Sequence, residues 1–250
     1  LRSANYRFLG LVGQGQFGQV YCAIHRRTGR LVALKNLNRD RFPTHQFLRE
    51  LRFLLSLNHP NIANCLALEQ STNGRQLVLD YCEGGTLRDL MEQGTQLTLA
   101  EILTLMTEVL DALEHAQNGK IVHCDIKPEN ILLRLTPHGW QAKVSDFGIA
   151  RLSQEFKGGG HTGATGSPAY MAPERFYRQY AIASDLYAVG VVLYEVLLGD
   201  RPFSGTYDQL MVAHLNHSVT IPATLPEPVR SLLAKSLEKL MARRFRNASE

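Results

Sequence analysis

His123-Cys124-Asp125-Ile126-Lys127-Pro128-Glu129-Asn130 is the stretch on which the reading of this 250-residue chain turns. It places an acid, a base and an amide on one short loop, and the apolar run Ile131-Leu132-Leu133 follows directly. Such a run reads as a buried strand, which would hold the loop rigidly. Asp125, Lys127 and Asn130 are the residue types needed to orient a hydroxyl, neutralise a phosphate and hold a divalent cation. That is the inventory of phosphoryl transfer, where positioning and charge neutralisation carry most of the catalysis. Taken alone, the octapeptide is also readable as a solvated turn, so the surrounding chain has to decide.

Upstream, to about Leu79, the pattern is one of strands. Phe8 to Val12, Gln19 to Ile24 and Leu31 to Leu37 are short apolar runs separated by Gly-containing turns. The first turn is Gly13-Gln14-Gly15-Gln16-Phe17-Gly18, whose glycines let a backbone close over a bulky anion. A dinucleotide-binding βαβ unit would need a helix next. Here Gln19-Val20-Tyr21-Cys22-Ala23-Ile24 reads as a second strand, so the turn belongs to a hairpin. Val32-Ala33-Leu34-Lys35 then sets one lysine in an apolar strand, which by itself reads equally as a snorkelling side chain. From about Thr44 a helix is expected, with Phe47, Leu51, Leu54 and Leu55 on its apolar face. Glu50, on the shoulder of that face, is placed to reach Lys35, or else reads as a solvated carboxylate beside Arg49 and Arg52. Two further strands follow, the second being Gln76 to Leu79.

Asp80-Tyr81-Cys82-Glu83-Gly84-Gly85 breaks the strand pattern and reads as a linker; beyond it the chain turns helical. Thr98 is placed to cap a helix with apolar residues at Ile102, Leu105, Met106, Val109, Leu110 and Leu113, ending near Gly119. After the octapeptide, Thr136-Pro137-His138-Gly139 reads as a hairpin turn whose return strand leads into Asp146-Phe147-Gly148. Asp185 to Leu198 is expected to be a buried helix. Val229, Leu232, Leu233, Ser236, Leu237 and Leu240 predict another near the end of the chain.

Composition is ordinary for a globular protein, with 44% apolar and 20% charged residues. A net charge of +4 without a Lys/Arg run gives no case for nucleic acid. Cys22, Cys65, Cys82 and Cys124 form no CxxC pair, which argues against a zinc site or disulfide framework. Leu186 to Leu198 is too short to span a bilayer and carries Glu195. The chain begins at Leu1 without a signal pattern and is expected to be an excised domain.

In order, these stretches resemble a eukaryotic-type serine/threonine protein kinase domain, with features of its bacterial members. The resemblance rests on Gly13 to Val20, the strand lysine Lys35, the helix Glu50, the octapeptide, Asp146-Phe147-Gly148 and Ala172-Pro173-Glu174. It implies an α+β, bilobal fold within one domain spanning 1–250. A small antiparallel-sheet lobe with one helix covers about 1–79, a hinge 80–85, and a larger, mainly helical lobe 86–250. Asp125, Lys127, Lys35 and Glu50 would be catalytic. ATP would lie against Val12, Gly13, Gln14, Gly15, Gln16, Phe17, Gly18, Val20, Ala33, Leu79, Asp80, Cys82 and Leu132. Asn130 and Asp146 would hold Mg²⁺. Glu174 and Arg244 would form a buried structural ion pair, and Asp185 would brace the catalytic loop. The resemblance further implies Ser/Thr hydroxyls of proteins as acceptors, with Thr162, Thr165 and Ser153 as autophosphorylation candidates. The location it implies is the cytoplasm, as a free domain or part of a larger anchored protein.

Two departures stand out against the family pattern. Cys124 replaces an arginine that pairs with an activation-segment phosphate in many members, so activity is expected not to need that phosphate. The chain also stops a few residues past Arg244, where the family's last helix would begin. The rival reading is an inactive nucleotide-binding scaffold. It predicts loss of one of Lys35, Asp125, Asn130 or Asp146, and all four are present.

Overall fold

The computed structural model describes residues 5–15, 18–37, 55–71, 74–147 and 167–250. Its first part is a five-stranded antiparallel sheet built from β1 (Tyr6–Gly15), β2 (Gly18–His25), β3 (Leu31–Leu37), β4 (Cys65–Ser71) and β5 (Gly74–Asp80). The spatial order is β1-β2-β3-β5-β4. Period-two alternation decides the use of its two faces. Val32 and Leu34 of β3 join Tyr6, Ala23 and Val78 in a small core on one side. Ala33 and Lys35 therefore turn to the other face, toward the rest of the molecule. The helix expected to contain Phe47, Glu50 and Leu51 lies outside the described residues.

Past β5 the described chain is mainly helical. Thr86 caps the short α1 (Leu87–Glu92), and Thr98 caps α2 (Leu99–Asn118) in a capping box with Glu101. Both boxes satisfy backbone N–H groups that a helix start would otherwise leave bare. The apolar stripe of α2, from Ile102 to Ala116, faces inward. The hairpin of β6 (Ile131–Thr136) and β7 (Gly139–Val144) packs on it. Helix α3 (Ile182–Leu198) is buried on almost every side, as an all-round apolar helix must be. It ends where Gly199 adopts φ 84°, and Gly199 N donates to Glu195 O at 2.8 Å. Helices α4 (Tyr207–Asn216) and α5 (Glu227–Ser236) complete the large core. Among the described residues no helix is long and apolar enough to cross a membrane.

One expectation needs correction. The apolar pattern continuing to Leu240 does not extend the last helix, which stops at Ser236. Leu240 stands 59% exposed. The cause lies in Arg244, which donates hydrogen bonds to the carbonyls of Glu238 (2.6 Å) and Lys239 (2.9 Å). The chain turns to present those carbonyls to a buried guanidinium instead of a further helical turn.

Candidate active site

Between the sheet and the helical part lies a cleft of about 260 Å³. Val12, Gly13, Val20, Ala33, Lys35, Leu79, Asp80, Cys82, Leu132 and Asp146 line it, all of them anticipated from sequence. Gln14, Gly15 and Gly18 sit on the β1–β2 hairpin above it without lining it. Gln16, Phe17 and Glu50 lie outside the described residues, as do Ser153, Thr162 and Thr165. Gly18 has φ +138°, and a Cβ there would fall 1.9 Å from Asn36 O. Only glycine fits that approach of hairpin to strand.

The loop 123–130 lies at the foot of the cleft. Its backbone is held from beneath by Asp185 of α3, whose carboxylate accepts from His123 N at 2.7 Å and Cys124 N at 2.8 Å. Cys124 is consequently fixed at φ 71°, an unusual conformation for a non-glycine residue. His123 is fully buried: its Nε2 donates to Ser145 O at 2.7 Å and its Nδ1 accepts from Asp125 N at 3.2 Å. The effect is a loop with no freedom to slide.

On this support, Asp125 presents its carboxylate to three partners. Oδ1 accepts from Ser167 N at 3.2 Å, and Oδ2 accepts from Asn130 Nδ2 at 3.1 Å. Lys127 Nζ pairs with Oδ2 at 2.8 Å and also donates to Ser167 Oγ at 3.0 Å. Asn130 Nδ2 further donates to Asp125 O at 2.7 Å, so its Oδ1 is the amide atom left for a cation.

Across the cleft, Lys35 Nζ lies 2.5 Å from Asp146 Oδ1. Asp146 stands at φ 63° immediately after β7 and Ser145. Burial disfavours its charge, yet Lys35, by charge and hydrogen bond, with His123 and Lys127 nearby, holds the carboxyl below its ordinary range. Asp146 lines the cleft, and Asn130, which is not among the lining residues, is buried on the loop beside Asp125; each side chain carries an oxygen donor. Among the described residues no group of three or more His, Cys, Asp or Glu side chains could hold a metal alone. Two protein oxygens suit a small hard cation that completes its sphere from phosphate oxygens and water.

Several positions around the cleft and the loop were not anticipated from sequence. Leu57, Ile62, Ala63, Cys65 and Leu77 form the inner wall of the cleft, and Thr86, Asp89 and Glu129 its mouth. Ile62 arrives by a parallel bridge to Val144, a pairing of residues far apart in the chain that no local pattern announces. Ser167 is a further such position, its amide donating to Asp125 Oδ1 and its hydroxyl accepting from Lys127 Nζ.

Comparison with known proteins gives a consistent outcome. A family model described as "Protein kinase domain" matches residues 6–249. The serine/threonine-protein kinase RUNKEL of Arabidopsis thaliana is 34% identical over 238 residues, covering 94% of this chain and 17% of that protein. The serine/threonine-protein kinase PrkC of Bacillus subtilis is 32% identical over 258 residues, covering 99% of this chain and 39% of that protein. The chain therefore spans well under half the length of these curated relatives.

Proposed function

The chain belongs to the protein kinase domain family, and from that premise we propose that it transfers the γ-phosphoryl group of ATP to serine or threonine hydroxyls of proteins. The observation carrying this reading is the arrangement at Asp125, a buried carboxylate oriented by Ser167, Asn130 and Lys127 opposite the Lys35–Asp146 pair. In this reading Asp125 accepts or orients the proton of the acceptor hydroxyl. Lys127 balances charge on the γ-phosphate, and Lys35 holds the α- and β-phosphates with Glu50 as its orienting partner. The hairpin of Gly13 to Gly18 covers the phosphates. Val12, Val20, Ala33, Leu79 and Leu132 enclose the adenine, and backbone groups of Asp80 and Cys82 meet its edge.

Asn130 and Asp146 would hold Mg²⁺, whose charge would offset the negative charge of the phosphates during transfer. The side chains present fit that ion, since both offer hard oxygen donors and Asp146 is held ionised. We further propose that residues 1–79 and 86–250 act as two lobes of one domain, joined at 80–85. Acceptors in Ser/Thr are supported by Lys127 of the catalytic loop and by the names of the relatives.

The test is incubation with γ-labelled ATP and Mg²⁺, using the chain itself and a generic basic protein as acceptors. Label on serine or threonine that vanishes in Asp125→Asn supports the proposal. Nucleotide binding without any transfer would favour the scaffold reading instead.

A further inference from the structure

His214 is a fully buried histidine to which the transfer reaction gives no role of its own. It stands on α4 among aromatic side chains, its ring 5.0 Å from that of Phe203, 5.7 Å from Tyr187 and 6.1 Å from Phe176. Both ring nitrogens are engaged. Tyr187 OH of α3 lies 2.8 Å from Nδ1, and Ala169 O lies 3.2 Å from Nε2. A carbonyl oxygen can only accept, so the proton sits on Nε2 and Nδ1 accepts from the tyrosine. Burial and the charge of nearby Lys239 keep the ring neutral, which this pattern of one donor and one acceptor requires.

The carbonyl it grips belongs to the turn Pro168–Tyr170, directly after Ser167. That turn closes on itself through Tyr170 N to Ser167 O at 2.9 Å and Met171 N to Pro168 O at 3.2 Å. These two bonds set its shape and not its place in the molecule. At its far end Tyr170 OH donates to Glu195 Oε2 at 2.6 Å, a grip on the tip of a long side chain. Among the described residues, the bond from His214 is the one that holds the main chain of the turn against a helix.

Ser167 carries the turn's position into the site. Its N–H donates to Asp125 Oδ1 at 3.2 Å, and its hydroxyl accepts from Lys127 Nζ at 3.0 Å. The bonds of Asp185 and His123 hold the backbone of the loop 123–130. The direction of the Asp125 carboxylate is set separately, by Ser167, Asn130 and Lys127. Consecutive contacts therefore run from Tyr187 through His214 and Ala169 to the group that would receive the acceptor hydroxyl.

We propose that His214 is a positioning residue for phosphoryl transfer, holding the turn Pro168–Tyr170 so that Ser167 keeps the Asp125 carboxylate aimed at the acceptor hydroxyl. The inference rests on the transfer reading above. His214 acts on the transfer step and not on nucleotide binding. Its position demands a donor at one end of a flat side chain and an acceptor at the other. Glutamine meets both demands with its amide, whereas leucine fills much of the same space and meets neither.

The test compares His214→Gln, His214→Leu and Tyr187→Phe with the wild-type chain. Melting temperature, affinity for ADP with Mg²⁺ and single-turnover transfer from γ-labelled ATP to the generic basic protein are read on each preparation. His214→Leu should lower the transfer rate by about tenfold with ADP affinity unchanged. Tyr187→Phe, which removes the hydroxyl that orients the ring, should lower it by about threefold. His214→Gln should recover most of the wild-type rate, whatever it does to the melting temperature. An ordinary core histidine predicts otherwise: all three variants would melt earlier and, while folded, transfer at the wild-type rate. That result would overturn the positioning role, as would a His214→Gln rate no better than that of His214→Leu. Should His214→Leu fail to fold, Tyr187→Phe carries the decision, since it removes one hydroxyl and keeps the aromatic packing. A wild-type chain that binds ADP yet transfers no phosphate would instead sink the transferase reading, and the role with it.

Discussion

Two ion pairs in this molecule look alike in chemistry and differ in exposure. Arg244 and Glu174 form a closed pair. Each of the five guanidinium N–H groups finds an acceptor, two on Glu174 (2.7 and 2.8 Å) and the rest on the carbonyls of Ala183, Glu238 and Lys239. Glu174 also accepts from Ser184 Oγ at 2.6 Å, and the Arg244 side chain is wholly buried. Lys35 and Asp146, by contrast, meet through one oxygen, with Asp146 at a positive φ and 23% exposed to the cleft. A pair with every donor satisfied fixes structure. One whose acid stands partly exposed at a cavity can exchange its contact for a ligand's.

The largest effect expected from this contrast is on the open pair. Asp146→Asn should lower phosphate transfer by about a thousandfold, as loss of a preorganised charge does, with little change in thermal melting. Initial rates and a melting curve on the same preparation check both halves. The closed pair should behave in the opposite way. Arg244→Met strands the buried Glu174 carboxylate and should cost about 3–5 kcal/mol of stability by urea unfolding. KM for ATP of the protein that stays folded should not change.

Acid should act on the supporting region before the cleft. Burial opposes the charge of Glu174, but hydrogen bonds from Arg244 and Ser184 lower its pKa below the ordinary value. Its contribution is therefore full above the unfolded pKa and lost as pH falls through the folded one. His214 is fully buried, and desolvation with nearby Lys239 lowers its pKa to about 4. The neutral ring accepts from Tyr187 OH at 2.8 Å through Nδ1 and donates to Ala169 O at 3.2 Å through Nε2. Below the unfolded value of 6.5 the unfolded chain gains a proton that the folded state refuses, so stability falls from there down to about 4. Urea midpoints at pH 7.0, 5.5 and 4.5, referred to about 1–3 kcal/mol for such a histidine, should show this limb flattened in His214→Gln. The smallest effect concerns the activation segment. Thr162→Ala and Thr165→Ala should each keep rates within about twofold, because Cys124 offers no guanidinium to a phosphate there.

The parts of the site that were legible in the sequence are those carried on one short stretch. Asp125, Lys127 and Asn130 fall within six residues, so the loop brings them together whatever the rest of the chain does. Lys35 was legible because a charge in an apolar strand is conspicuous, and the alternation of β3 sends it to the cleft face with Ala33. The inner wall was not legible. Ile62 and Ala63 reach it by pairing with β7, about eighty residues away, and a strand pairing at that distance leaves no periodic trace. Leu240 misled for a related reason: apolar spacing suggested helix, while the demand of Arg244 for carbonyls decided the backbone.

The measurement that bears most directly on the account is a paired one on Asp125→Asn: affinity for ATP with Mg²⁺, and single-turnover transfer of labelled γ-phosphate. If Asp125 serves the acceptor hydroxyl while the Lys35–Asp146 side holds the nucleotide, affinity stays near wild type and transfer falls by about a hundredfold to ten-thousandfold. Transfer at the wild-type rate, or affinity and transfer lost together in a folded variant, would contradict it.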